Sequence, residues 1–222
     1  MRRRWVRIVI PATAGAVLFG GAGWFLGPQW AVAGTLVGPV AAYSVLLIIL
    51  WRRTPDAVGL LRAGRPEEAY RRLELEVSFN RRLAANRPMF RDVLAYSLET
   101  MSRVLQTLGN EPRALEAATE AAAIYTELTE KRTGRYTAAL ARTLLQQAAL
   151  LAHMGRHGEA LEATEPAVQI YRSLAVGDRG TCLPPLAAAL ARQAEELFYL
   201  DRITEARGAA AEVELIRTDM LP

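Results

Sequence analysis

Residues 144–175 read LLQQAALLAHMGRHGEALEATEPAVQIYRSLA and contain two apolar-rich segments on either side of a short glycine-containing stretch. Within each segment the apolar residues recur every three, four or seven positions, which is the spacing of one face of an α-helix. Gly155 lies between the segments, and glycine readily adopts the left-handed backbone conformation found just past a helix C-terminus. The stretch therefore predicts a helix, a tight turn and a second helix.

The same arrangement recurs along the chain with a nearly constant period. An alanine follows each turn, and the successive alanines are spaced by 45, 46 and 46 residues: Ala69, Ala114, Ala160 and Ala206. A period of this size indicates stacked structural repeats. The predicted helix pairs are 89–108 with 111–129, 136–154 with 157–174, and 184–200 with 203–219. A shortened first unit has a short helix at 56–63 and a second helix that begins at Pro66.

Residues 144–175, with their glycine turn and the small Ala160, resemble the tetratricopeptide repeat (TPR). More narrowly, they are similar to the long-repeat, kinesin-light-chain-like form found in arrays from high-GC bacteria. The resemblance covers residues 55–220 and implies an α-solenoid of about three and a half helix-turn-helix repeats. The chain departs from the family pattern at Gln147 and Gln193, where an apolar residue is usual, and at Asp201, which replaces the turn glycine.

The N-terminal part of the chain has the composition of a membrane anchor. No Asp, Glu, Lys, Arg or His occurs in the 44 residues between Arg7 and Arg52. One helix of that length would run about 66 Å, roughly twice the 30 Å thickness of the hydrocarbon core. Because the segment GPQ at 27–29 is a turn sequence, two spans are predicted, at about 5–26 and 30–51. All four tryptophans stand at the predicted span ends, the level of the lipid headgroups: Trp5, Trp24, Trp30 and Trp51.

The arginines that flank the predicted spans set their orientation. They precede the first span and follow the second, and the turn has none, so both termini are expected in the cytoplasm. We therefore expect a transmembrane helical hairpin at 1–53 and a cytoplasmic TPR-like domain at 54–222, at the inner membrane of a bacterial cell. A cleaved signal peptide is the alternative, but a second uncharged segment follows at once. The glycines at 34 and 38 fit packing within one hairpin or dimerisation between chains.

The distribution of charge argues against a nucleic-acid partner. Although the net charge is +4, residues 92–222 carry 13 basic and 18 acidic groups, a net of −5. Nucleic-acid binding proteins instead present a basic surface to the phosphates. Residues 52–91 carry ten arginines and five acids, a net of +5, and this segment suits the anionic leaflet of a membrane.

Reactive residue types do not form a recognisable site in the sequence. His153 and His157 stand on either side of the turn, which is not the spacing of two metal ligands on one helix. Cys182 is predicted to lie in a loop before two prolines as an ordinary small residue, and the adjacent Glu195 and Glu196 are predicted to lie on a solvated helix face. With no nucleophile motif or phosphate-binding loop, we expect neither enzymatic activity nor a cofactor or metal.

The resemblance implies a binding surface on the first helix of each pair, which lines the concave face of such arrays. The groove-facing positions carried over from the family are Tyr96, Glu99, Arg103, Gln106 and Thr107, then Arg142, Leu145, Ala149 and His153, then Ala188, Ala191, Glu195, Phe198 and Tyr199. Arg103 and Arg142 are expected to hold a carboxylate or an acidic segment, and Phe198 and Tyr199 an apolar side chain. The alternative for Phe198 is packing against its neighbours.

These observations favour a membrane-anchored scaffold or adaptor that binds a protein or peptide partner through its concave helical surface. The alternative is a regulatory or sensory subunit of a membrane-associated signalling, proteolytic or secretion complex. A homo-oligomer is a further expectation, because no polar helix follows the last predicted repeat to cap its apolar face.

Overall fold

The computed structural model describes residues 56–131 and 134–219. The chain divides into two units, Met1–Pro55 and Asp56–Pro222, and the described residues all lie in the second. The two membrane spans predicted at about 5–26 and 30–51 lie outside the described residues. Within the described ranges, no helix combines the length and the apolar character needed to cross a bilayer.

The described residues form α-helices joined by short turns, with one 3-10 helix at Pro88–Phe90 and no β-strand. The helices are α1 (Ala57–Arg62), α2 (Pro66–Asn86), α3 (Arg91–Thr107), α4 (Glu111–Lys131), α5 (Thr137–His153), α6 (His157–Gly177), α7 (Arg179–Tyr199) and α8 (Ile203–Asp219). The pairs α3–α4, α5–α6 and α7–α8 are the three predicted full repeats, and α1–α2 is the shortened first one. The predicted helical repeat is confirmed, and its helix ends agree within three residues except at the start of α7.

Helix α7 begins five residues earlier than the sequence predicted, so Cys182 lies in a helix and not in a loop. The helix starts at Arg179 because the Asp178 carboxylate accepts a hydrogen bond from the Thr181 amide at 3.1 Å, which caps the first turn. Pro184 and Pro185 follow inside the helix. Each proline lacks one amide donor, but this cap and the packing of α7 on α6 hold the turn in place.

Each first helix of a pair ends in the same hydrogen-bonded turn. After α3, Gly109 has a φ of 73°, and the Asn110 amide donates to the Leu105 carbonyl at 2.9 Å. This closure around a left-handed residue is the Schellman motif. The other left-handed residues at this position are Gly64, Gly155 and Asp201, and the matching carbonyls belong to Leu60, Leu151 and Leu197. The left-handed conformation predicted for the turn glycines is therefore confirmed, and Asp201, which departs from the family pattern, adopts it as well.

The alanine that follows each turn is buried where the second helix packs on the first. Ala69, Ala114 and Ala160 have no exposed surface, and Ala206 is also buried. Ala160, for example, packs with Ala148 and Leu151 of α5. A methyl side chain at this point lets the two backbones approach closely, which a larger side chain would prevent. The four alanines occupy equivalent environments, as a true repeat requires.

The helices form two rows. Every helix packs against the helices before and after it in the sequence. In addition, the backbone of α3 approaches those of α1 and α5, whereas among the described residues the second helices meet through long side chains, as in the ion pairs Arg81–Glu120 and Arg172–Glu212. The row whose members approach one another lies on the concave side of a curved array. The first helices α1, α3, α5 and α7 are therefore the inner row, and the second helices are the outer row.

Candidate partner-binding surface

The inner row presents most of the side chains that the sequence predicted for partner binding. Its exposed members define the inner surface: Tyr96, Arg103, Thr107, Arg142, His153, Ala188, Glu195, Phe198 and Tyr199. Equivalent positions recur 46 residues apart, as at Thr107, His153 and Tyr199, so side chains at one repeat position follow one another from unit to unit. Gln106 and Leu145 are only half-exposed. The role of these residues in binding stays a prediction.

Glu99 was expected in the groove but is buried between α3 and α5, with 4% of its surface exposed. Its carboxylate accepts hydrogen bonds from Arg142, with 2.6 Å between Nε and Oε1 and 2.9 Å between Nη2 and Oε2. These hydrogen bonds raise the pKa of the Arg142 guanidinium above its usual value. A bidentate pair of this kind fixes both geometry and spacing. The expectation of a free guanidinium at Arg142 is therefore corrected, because a carboxylate of the same chain already occupies it.

Further polar contacts join α3 and α5 along the same side. The Gln146 amide donates to Gln106 Oε1 at 2.8 Å, and the Tyr136 hydroxyl donates to Asp92 Oδ2 at 2.9 Å. These contacts tie neighbouring repeats together at both ends of the helices. Gln106 is therefore also engaged within the chain, and its side chain contributes to the relative placement of the two repeats.

The Arg103 guanidinium, unlike that of Arg142, is available to bind a carboxylate of a partner. It is exposed on α3 and has no ion-pair partner among the residues that the structure describes. Tyr96, two turns earlier on the same helix, is also exposed, at 53%. A guanidinium with a free fork can bind a carboxylate through two parallel hydrogen bonds. Among the described residues, the middle of the inner surface thus offers Arg103 as an anion-binding group and the Tyr96 ring two turns away on the same helix.

Helices α7 and α8 form a groove of about 730 Å³ at the C-terminal end of the described array. We call it the terminal groove, and its lining residues are Ala194, Glu195, Phe198, Tyr199, Ile203, Ala206, Arg207 and Ala210. It brings together Glu195, Phe198 and Tyr199, which the sequence had placed on the binding surface. Phe198 is 64% exposed and meets Tyr199 edge-on, so packing against its neighbours leaves most of its ring available.

The terminal groove occupies positions that the next repeat covers elsewhere in the array. Ala148 and Ser102, which are equivalent to Ala194 by the 46-residue period, are fully buried. Ala194 itself is partly exposed. The groove is therefore a stacking surface with no following repeat among the described residues, and Ala194 lies at a position where the equivalent residues are small and buried.

A buried polar cluster at the α6–α7 boundary was missed from the sequence. Glu196 is 1% exposed, and its Oε2 lies 2.8 Å from His157 Nδ1. Arg192 Nη1 lies 3.9 Å from the other carboxylate oxygen, and the Tyr199 ring stacks on the His157 ring at 4.1 Å between centroids. The expectation that Glu196 lies on a solvated face is wrong. The sequence did hold a signal, because the equivalent positions carry Val104 and Leu150, both fully buried.

The remaining reactive side chains have structural surroundings. His153 lies 3.4 Å from the Glu111 carboxylate across the α4–α5 boundary, and Cys182 is half-buried where α7 packs on α6. In the two described ranges, no group of three or more His, Cys, Asp or Glu residues is placed to hold a metal ion.

Solved structures of other proteins have a similar fold. BtubC (BKLC) from P. vanneervenii superposes with a TM-score of 0.64 at 17% identity, covering 94% of this chain and 90% of that one. A putative kinesin light chain from Podosopora anserina with nearly identical TPR-like repeats superposes with a TM-score of 0.55 at 15% identity, covering 94% of each chain. This chain has a TPR-like repeat fold. No family model matches the sequence, and no curated protein matches it either, so the TPR likeness is one of architecture.

Proposed function

We propose that this protein is a membrane-anchored TPR-like scaffold that binds a segment of another protein along the inner surface and performs no chemistry itself. TPR-like arrays present an extended concave surface built from their first helices, and this array has that inner row. The observation that carries the proposal is Arg103, an exposed guanidinium with no ion-pair partner in the described part of the chain, on a surface where Arg142 already pairs with Glu99.

The side chains on this surface define the kind of segment that would fit. A carboxylate suits Arg103, because two parallel hydrogen bonds to a guanidinium are strong and directional. A large apolar side chain suits the terminal groove, whose Phe198 and Tyr199 rings are exposed and whose floor is Ala194 and Ala206. We infer a partner with an acidic residue followed or preceded, several residues away, by an aromatic or branched aliphatic residue.

The membrane anchor in this proposal rests on sequence. The 44 uncharged residues between Arg7 and Arg52 are long enough for two spans, and the arginines at both ends favour a cytoplasmic location for the array. An anchored scaffold would hold its partner at the inner face of the membrane. Carbonate extraction of native membranes tests the anchor, since a spanning protein stays in the pellet and a peripheral one is released.

Photocrosslinking from the full chain in native membranes tests the inner surface. A photoreactive amino acid at Tyr96 or Phe198 is expected to capture the same protein, and one at Ala123, exposed on the outer helix α4, is expected not to. Arg103→Ala should lower that capture several-fold. Arg113→Ala, which removes an exposed arginine from α4, is the matched control.

The choice of variant matters in this experiment. Arg142→Ala is unsuitable as the main test because it would leave Glu99 buried without its partner, and the cost in stability would lower capture by itself. Equal capture from Tyr96 and Ala123, or capture unaffected by Arg103→Ala, would rule out binding along the inner surface.

A further inference from the structure

Helix α2 carries an exposed stripe directly opposite its buried side. Its buried residues are Ala69, Leu73, Val77, Asn80 and Ala84. On the opposite side lie four exposed residues that we call the outer stripe: Arg71, Leu75, Phe79 and Arg82. Leu75 is 74% exposed and Phe79 61%. Residues four, eight and eleven positions apart lie on one helix face, so two large apolar side chains and two arginines project together.

Among the described residues, the other outer helices expose large apolar side chains only singly, as at Val176 on α6 and Leu215 on α8. The exposed side of α4 carries Glu116, Thr119 and Ala123, and that of α6 carries Glu162 and Gln169. These are the acidic and small polar side chains expected on the solvated face of an amphipathic helix. Phe79 holds the repeat position of Ile124 and Ile170, which are partly buried, whereas Leu75 holds that of Glu120 and Pro166. Leu75 is therefore a local feature of α2, and Phe79 is an apolar repeat residue that is left exposed there.

The two arginines of the outer stripe carry exposed side chains. Neither Arg71 nor Arg82 has an ion-pair partner among the residues described. Neighbouring arginines do have one, since Arg81 pairs with Glu120 and Arg65 pairs with Glu68. Just beyond α2, Met89 adds a further large side chain that is 73% exposed. The surface thus combines uncompensated positive charge with apolar groups that water does not favour.

We propose that the outer stripe of α2 lies against an anionic lipid surface, with Leu75 and Phe79 at the level of the acyl-chain boundary and Arg71 and Arg82 among the phosphates. A helix that places basic and large apolar side chains on one stripe binds such an interface through electrostatic attraction to the phosphates and through burial of its apolar side chains. This inference rests on the proposed membrane anchor, because the uncharged stretch ends at Trp51, only 15 positions before α2 begins at Pro66.

Depth-dependent quenching in vesicles tests the inference with the full chain. The single cysteine is first removed by Cys182→Ala, and a cysteine for an environment-sensitive fluorophore is introduced by Ser78→Cys, beside the stripe on exposed α2 surface. Ala123→Cys and Gln169→Cys, exposed on α4 and α6, are the matched controls. The vesicles are phosphatidylcholine alone or mixed with phosphatidylglycerol, each with a spin-labelled lipid as quencher.

The fluorophore at position 78 is expected to be quenched in anionic vesicles at least several-fold more than either control. Arg71→Gln and Arg82→Gln should each weaken this quenching about fivefold, the effect of one well-placed basic group at an anionic surface. Phe79→Ser should weaken it in both kinds of vesicle. Circular dichroism confirms that each variant keeps its helix content.

Flotation of the same samples separates the stripe from the anchor. A chain that floats with both kinds of vesicle while position 78 is no more quenched than position 123 would overturn the inference and leave the anchor intact. A chain that floats only with anionic vesicles, with position 78 quenched, would support the stripe and refute the anchor. Shielding of position 78 by an added acidic protein, without quenching by lipid, would assign the stripe to a protein partner and overturn the inference.

Discussion

Replacement of Glu196 by leucine is expected to stabilise the repeat domain, although it removes the buried contact between Glu196 and His157. Glu196 is almost fully buried, and its repeat equivalents Val104 and Leu150 are buried apolar residues. Burial of a leucine contributes about 1.5–3 kcal/mol, and exchange of a buried ion pair for apolar residues is neutral or stabilising by about 1–4 kcal/mol. His157 keeps access to water, since 23% of its side chain is exposed. We expect a gain of about 1 kcal/mol in the free energy of unfolding, or about 2–4 °C in Tm.

His157→Ala is expected to have the opposite effect. It leaves the Glu196 carboxylate buried, with Arg192 Nη1 at 3.9 Å from it. Removal of one partner from a fully buried pair costs about 3–5 kcal/mol. Because His157 is partly exposed and Arg192 remains, we expect about 2 kcal/mol. In the Glu196→Leu background the same replacement should cost less than about 1 kcal/mol, since no buried charge is left unpaired.

The measurement is urea unfolding of residues 54–222, followed by helical circular dichroism, for the two single variants and the double variant. The difference between the two costs of His157→Ala is the coupling free energy of the pair, expected at about 1–2 kcal/mol. Glu195→Leu, at the adjacent exposed position, is the control and should change stability by less than about 0.5 kcal/mol. An equal cost of His157→Ala in both backgrounds would refute the coupling, and a Glu196→Leu variant that is clearly less stable would refute the burial argument.

Three further predictions concern the repeat turns and helix crossings, measured by the same unfolding experiment. Gly155→Ala should cost about 1 kcal/mol because φ is 73° there, whereas Gly158→Ala, inside α6 with open space around an added methyl group, should gain about 0.5 kcal/mol. Asp201→Gly should stabilise by several tenths of a kcal/mol, since Asp201 holds a φ of 60°. Ala160→Leu should cost about 3 kcal/mol at its fully buried crossing, and Ala123→Leu, on exposed surface, should be neutral. Equal effects within either matched pair would contradict these assignments.

The helices and turns could be predicted because they follow local rules. The apolar spacing within 144–175 fixes two helices, and the 46-residue period transfers that assignment to the neighbouring units. Gly109 and Gly155 end the first helices because a left-handed residue closes the Schellman hydrogen bond. Asp201 adopts the same conformation, which shows that the hydrogen-bond requirement of the turn outweighs the modest strain of a non-glycine residue.

The pairing of charged residues could not be predicted in the same way. Glu99 and Arg142 are 43 residues apart, so the pair does not follow the 46-residue period. No sequence pattern within one repeat predicts this ion pair. Their burial depends on how α3 and α5 pack. Glu196 is a different case. A charged residue that interrupts a column of apolar residues at equivalent repeat positions must either be exposed or find a partner, and His157 is that partner.

The arginines of the chain fall into those that pair with a carboxylate of the same chain and those that are available for binding. Arg142 joins two repeats through Glu99, and Arg172 joins α6 to α8 through Glu212, so their charge is neutralised within the chain. Arg103 on the inner row and Arg71 on the outer row have no such partner among the described residues. The two proposed surfaces therefore use different arginines on different helices, which permits both to be occupied at once.

Independence of the two surfaces is itself testable. If both proposals hold, Arg103→Ala should lower crosslinking from Tyr96 and leave the quenching at position 78 unchanged. Arg71→Gln should do the reverse, because no side chain is shared between the inner surface and the outer stripe. Sites without shared partners contribute additively. A loss of both signals in either variant would mean that the inner surface and the outer stripe are energetically coupled, as in a scaffold that binds its partner only when it lies on the membrane.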